Sequence, residues 1–196
     1  MPPKCKFTKE EVVQAALDMT RESGISSVTA RALGERLGSS SRPIFSLFQS
    51  MQEVQQEIIQ AANALYQDYL KRDMTSGKYP PYKASGMAYI RFAKDERELF
   101  KLLFMRDRST ELIDDNPKEL EFILKAITKS TGLSEQDAHR FHLEMWVYVH
   151  GIATMIATSY LEFDWDTISQ MLSDEFAGLK HAFLEGRQTN GSNQND

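Results

Sequence analysis

The sequence predicts an all-α fold of about nine helices, and three observations carry that expectation. Capping residues recur at Thr8, Thr29, Ser50, Asn116 and Ser134, each followed by a helical pattern. Apolar residues repeat at helical spacing between those caps. No run of alternating apolar and polar residues bounded by turns argues for a strand.

The elements follow in order. Phe7-Thr8-Lys9-Glu10-Glu11-Val12 is a capping box, with Thr8 as N-cap, Glu11 three residues on, and Phe7 and Val12 as a hydrophobic staple. This helix runs to about residue 22, with Val12, Val13, Ala16 and Met19 on one face and Gly24 as its stop. Thr29 caps a short helix over 30–37, flanked by the pair Val28 and Leu33 and ended by Gly38. Ser39, Ser40 and Ser41 separate it from another short helix, 42–48, with Pro43 in the first turn where its missing N–H is harmless. Ser50-Met51-Gln52-Glu53 is a second capping box, opening a long helix with the stripe Val54, Ile58, Ala61, Leu65 and Tyr69. Gly77, Pro80 and Pro81 break the chain before a helix over 82–94, and 98–106 follows, apolar from Leu99 to Met105 except at Lys101. Asn116, Pro117 and Glu119 start a helix with Leu120, Ile123, Leu124 and Ile127 inward, stopped by Gly132. Ser134 begins what reads as the longest helix, to about 159. Asp166 or Thr167 begins the last, with Ile168, Leu172, Phe176, Leu179 and Phe183 at helical spacing and Gly186 as the stop. Residues 187–196 have little to bury and read as a disordered tail.

Composition narrows the class. The chain has 196 residues, 41% hydrophobic and 26% charged, with a net charge of −5, which excludes a wholly basic nucleic-acid-coating protein. The charge is uneven: residues 1–50 carry seven Lys or Arg against five Asp or Glu, so the acidity lies in the rest. The single cysteine, Cys5, excludes an internal disulfide framework and a Cys-rich zinc site. Lys4, Lys6 and Lys9 are followed by no apolar run, so no secretory signal is expected. The longest stretch without Asp, Glu, Lys or Arg, 145–161, falls short of the roughly 20 residues a bilayer requires. The expectation is a cytoplasmic protein without membrane contact.

Thr29 to Phe48 is the informative segment. Two short helices joined by a Gly-Ser-Ser turn, preceded by a longer amphipathic helix, give the layout of a three-helix DNA-binding unit. Arg31, Arg36 and Arg42 against the single Glu35 make the segment net positive within an acidic chain. Thr29 offers a hydroxyl and a helix N-terminus to a phosphate, and Ser40, Ser41 and Ser46 are short enough to reach phosphates or base edges. Gly34 sits where two helices approach closely. The alternative on spacing alone is a helical hairpin with solvated arginines.

Residues 7–57 resemble the N-terminal domain of the tetracycline-repressor (TetR) family of bacterial transcriptional regulators. The residues that carry the resemblance are Ala15-Ala16-Leu17, Gly24, Val28 through Gly38, then Ser40, Ile44-Phe45, Phe48 and Ser50. The resemblance implies that Thr29 and Arg31 anchor phosphates and that Ser41, Arg42, Pro43 and Ser46 face the groove. Ser40, Phe45 and Ser50 complete the expected DNA-facing set. Three residues depart from the family pattern: Phe45 stands for a usual Tyr, Met51 for a usual Lys, and Leu47 for a commonly polar residue. Together they predict a smaller electrostatic contribution to binding, which Arg42 can partly offset by reading a guanine. Farther on, Trp146-Val147-Tyr148-Val149-His150-Gly151 resembles the Trp-x-x-x-His-Gly signature of one subgroup's ligand-sensing domain, and residues 99–107 the aromatic segment before it. That subgroup does not share one effector.

The implied organisation is a DNA-binding domain over 1–49 and a ligand-sensing and dimerisation domain over 50–186, followed by the tail. His139, His142, Trp146 and His150 share one face of the long helix, a polar-tipped stripe; no cysteine or second carboxylate arrives at matched spacing, so no metal is expected. Beside it runs a core stripe, Ala138, Phe141, Met145, Val149, Ile152, Ile156 and Tyr160. A helix apolar on more than one face must touch more than one partner surface, which points to a second subunit. The effector pocket is expected between this helix and those carrying Tyr66, Tyr69, Phe92 and Phe104, with Phe122, His142, Trp146 and His150 also lining it, and its acidic, aromatic and Met-rich surroundings suit a lipophilic small molecule. No nucleophilic triad, phosphate-cradling loop or paired carboxylate motif appears, so neither an enzyme nor a cofactor is expected. The functional expectation is a homodimeric, ligand-responsive repressor on a palindromic double-stranded DNA operator. The alternative is an acidic helical scaffold that keeps the motif without using it.

Overall fold

The computed structural model describes residues 6–107 and 117–192. Among these residues the chain is all-α, with nine α-helices: α1 (Lys9–Ser23), α2 (Ala30–Arg36), α3 (Arg42–Phe45), α4 (Met51–Thr75), α5 (Pro81–Asp95), α6 (Arg97–Phe104), α7 (Pro117–Thr131), α8 (Glu135–Ala157) and α9 (Trp165–Ser192). The expected cap Asn116, Cys5 and residues 193–196 lie outside the described residues.

The chain packs as two units, Met1–Tyr69 with Phe92–Asp107, and Leu70–Arg91 with Arg108–Asp196. This packing division differs from the functional division expected at 49/50, because the first part of α4 is built into the same body as α1–α3. Val54 and Ile58 are fully buried there, like Val12, Ala16, Leu33 and Ile44.

In the first unit α1 packs against α2 and α6. The Thr8 capping box forms as read: the Glu11 amide donates to Thr8 Oγ1 at 3.1 Å, and the Thr8 amide to Glu11 Oε2 at 2.8 Å. Arg21 donates twice to the Glu96 carboxylate, at 2.8 and 3.0 Å, tying the end of α1 to the residue before α6. At α4 the expected box is modified. Ser50 Oγ accepts the Glu53 amide at 3.2 Å, but the Glu53 carboxylate takes the Gln49 amide, one residue earlier than a reciprocal box requires.

In the second unit α8 packs against α7 and α9. The core joins Leu124, Ile127, Leu133, Ala138, Phe141 and Met145, with Tyr82, Phe176 and Phe183 packed against it. Phe141 is the hub, with ring centroids 5.2 Å from Phe176 and 5.7 Å from Phe183.

Several boundaries differ from expectation. A 3-10 turn at Ile25–Ser27 was not anticipated; Ser27 closes it by donating from its hydroxyl to the Gly24 carbonyl at 2.7 Å. α3 ends at Phe45 rather than 48, because the Ser46 hydroxyl turns back to the Pro43 carbonyl at 2.6 Å and the Leu47 amide tightens onto Ile44. The longest helix is α9, of 28 residues, and not α8, of 23. It opens at Trp165 because Asp164 caps the Thr167 amide at 2.8 Å, and it continues through Gly186 to Ser192, over residues expected as tail. Gly24, Gly38, Gly77 and Gly132 end helices by taking positive φ, whereas Gly186 stays helical. An interior glycine costs about 1 kcal/mol relative to alanine, which does not by itself end a helix.

Candidate nucleic-acid interface and the tyrosine–histidine pairs

Burial fixes how α3 is rotated. Ile44 and Phe48 are inward at 0% and 2% exposure, so Arg42, Phe45 and Ser46 are left exposed, with Ser41 and Pro43 half-buried. The α2–α3 turn rests directly on Gly34: a Cβ at that position would lie 2.9 Å from Ser40 C and Ser41 N. The Ser39 amide donates to the Gly34 carbonyl at 2.9 Å, locking the same approach. Side chains at 34 are excluded by backbone.

Thr29 caps α2 by accepting the Ala32 amide at 3.2 Å, which leaves its hydroxyl proton free to donate. Thr29, Arg31, Ser40 and Ser50 are all exposed. Arg31 pairs with Glu35 at 2.9 Å in a solvent-exposed i,i+4 arrangement, and Arg36 with Glu22 at 2.6 Å. Solvent screens exposed pairs of this kind, so they contribute little and Arg31 is easily released to another anion. Arg42 forms no ion pair among the described residues. No Asp or Glu occurs between Glu35 and Glu53. Lys9, from α1, reaches Glu53 in the first turn of α4 at 3.1 Å, so a cation stands near that turn although Met51 supplies none. The Gln49 amide, then Lys9, hold the Glu53 carboxyl below the usual carboxylate range.

The expected effector residues divide between the units. In the first, Tyr66, Tyr69, Phe92 and Phe104 form one aromatic cluster: Tyr66 lies 5.4 Å from Phe92 and 5.2 Å from Phe104, and Tyr69 5.4 Å from Phe92. In the second, Trp146 stacks on His150 at 5.0 Å with the planes 17° apart. Phe122 is not gathered with them. It is 50% exposed on α7, because Leu124 and Ile127 turn the other side of that helix inward.

Two contacts in the second unit were missed by sequence reasoning. Tyr82 OH lies 3.1 Å from His142 Nδ1, and Tyr89 OH lies 2.9 Å from His150 Nδ1. The signal was present as a matched spacing: the tyrosines are seven apart on α5 and the histidines eight apart on α8, each about two turns. Burial pushes both phenols up and both imidazoles down, so all four groups stay neutral near pH 7. For His142 burial is the larger cause and His139 the smaller. A folded pKa below the unfolded value means the unfolded chain binds the proton more readily, so stability falls as pH drops below about 6.5. Thermal melts at pH 7.5 and 5.5 check this: His142→Gln should lose less stability between the two than the unaltered chain.

Among the described residues no group of three or more His, Cys, Asp or Glu is placed to hold a metal. No described helix is long and apolar enough to cross a membrane.

Residues 82–176, which include both tyrosine–histidine pairs, match the family of tetracyclin repressor-like C-terminal domains. A TetR-like transcriptional regulator from Rhodococcus sp. RHA1 has a similar structure, with a TM-score of 0.65 at 16% identity, covering 95% of this chain and 100% of that one. The fold is TetR-like. A search of curated proteins finds no match.

Proposed function

We propose that this TetR-like chain is a homodimeric transcriptional repressor that binds a palindromic operator and is released from it by a small lipophilic effector. The observation that carries the reading is the outer face of α2–α3: Thr29 and Arg31 are exposed at the start of α2, and Arg42 and Ser46 are exposed in the stretch between Glu35 and Glu53, which holds no acidic residue. Thr29 and Arg31 hold phosphates, Arg42 reads a base, and Ser40, Ser41, Pro43, Phe45, Ser46 and Ser50 fill the rest of the contact. The test is binding to DNA flanking its own gene, titrated with salt. A specific complex whose affinity falls steeply with salt supports the reading, and the absence of any specific complex favours the scaffold alternative.

The two arginines separate positioning from reading. Arg31→Ala is expected to weaken all duplexes about equally and to reduce the salt slope by roughly one. Arg42→Ala is expected to cost about 1–3 kcal/mol and to relax preference at one base pair. Equal, sequence-independent losses from both would remove Arg42 as the reader.

The dimer is supported by a stripe on α8: Leu143, Val147 and Met155 are exposed at four- and eight-residue intervals, with open space over Gly151 between them. A second copy of α8 and α9 is the surface that fits it. For the effector, Trp146 stacked on His150 offers a flat apolar face with a polar tip. Trp146→Ala, 42% exposed, should therefore blunt release by a lipophilic effector while operator affinity stays within about twofold. Loss of the dimer in that variant would instead make Trp146 an interface residue.

A further inference from the structure

Phe45 is 49% exposed, while the two residues that orient α3, Ile44 and Phe48, are buried. It stands three positions after Arg42, so the two side chains are neighbours on the outer face of one helical turn, with Cβ atoms about 5–6 Å apart. An aromatic ring held half in water beside a cation that has no ion-pair partner among the described residues has two complementary uses. The guanidinium matches the acceptor edge of guanine, and the ring matches the one apolar group that the major groove displays, the thymine 5-methyl. A phenylalanine has no hydroxyl with which to bond a phosphate, so phosphate anchoring is not open to it. Its ring can contribute only by covering apolar surface.

We propose that Phe45 is a base-reading residue that selects thymine through its 5-methyl group, within about two base pairs of the base read by Arg42. The distance follows from the side-chain spacing set against the 3.4 Å rise of a DNA strand. This rests on the DNA-binding reading above and adds to it a chemical class of base and a place in the half-site.

The test begins with duplexes selected from a random pool by the full-length chain. Each thymine of the selected site is then replaced by deoxyuridine, which removes only the methyl group. Burying one methyl group is worth about fourfold in affinity, so one position per half-site should lose roughly that factor. The same replacement should have no effect on Phe45→Ala, and Phe45→Leu should keep part of it. The substitution is made in the DNA, so the measurement on the unaltered chain stands even if a variant folds poorly. Selection of a specific duplex in which no deoxyuridine replacement changes affinity overturns the role of Phe45 and leaves the DNA-binding reading intact. Failure to select any duplex overturns both.

Discussion

Gly34→Ala is expected to abolish specific DNA binding while the helices of the second unit stay folded. In an exposed helix this substitution normally stabilises, by up to about 1 kcal/mol. Here the sign is expected to reverse. The new Cβ would lie 2.9 Å from Ser40 C and Ser41 N, and these are backbone atoms that cannot rotate aside as a side chain tip can. The turn must move, and it carries α3 with it. Overpacking of this kind costs about 1–3 kcal/mol, but the effect on binding is larger, because a misplacement of about 1 Å is enough to break a bidentate base contact. Binding to a selected duplex should fall at least about thirtyfold, as two half-sites each lose a reader worth about 1–3 kcal/mol. Fluorescence anisotropy measures the binding, and far-ultraviolet circular dichroism shows that most helix remains. Unchanged affinity in a stabilised variant would mean that the α2–α3 approach is not as drawn.

Phe141→Ala is expected to be the most destabilising single truncation in the second unit, at about 3–5 kcal/mol. The side chain is fully buried, and its ring touches Tyr82, Phe176 and Phe183 from α5 and α9. Those partners belong to separate helices, so the cavity cannot close by the shift of one element. Phe122→Ala supplies the contrast. At 50% exposure it removes little packing, and its effect should stay within about 0.5 kcal/mol. Urea denaturation of both variants gives the comparison, and equal losses would contradict the packing described for α7 and α8.

The interpretable part of the sequence was its local chemistry. Caps at Thr8, Thr29 and Ser134 and stops at Gly24, Gly38 and Gly132 depend on hydrogen bonds or backbone angles within a few residues, so they could be read directly. Gly34 was legible as a close approach for the same reason: its partner, the turn at Ser40, is six residues away. What stayed hidden depends on pairings distant along the chain. The Tyr82–His142 and Tyr89–His150 contacts span 60 and 61 residues, and periodicity on either helix alone names no partner. The exposure of Phe122 was missed because an aromatic residue next to an apolar stripe reads as part of it. The length of α9 was misjudged by taking every helix-ending glycine as a left-handed stop, which Gly186 is not.

The central claim is that the segment from Thr29 to Ser50 meets DNA. Amide hydrogen exchange of the full chain, with and without a duplex selected by it, tests that most directly, because it reports where protection arises. Protection on adding DNA should concentrate in peptides covering 29–50, with the amides at the start of α2 and of α4 among the most affected. Protection confined to α7–α9, or none anywhere at saturating duplex, would contradict the account.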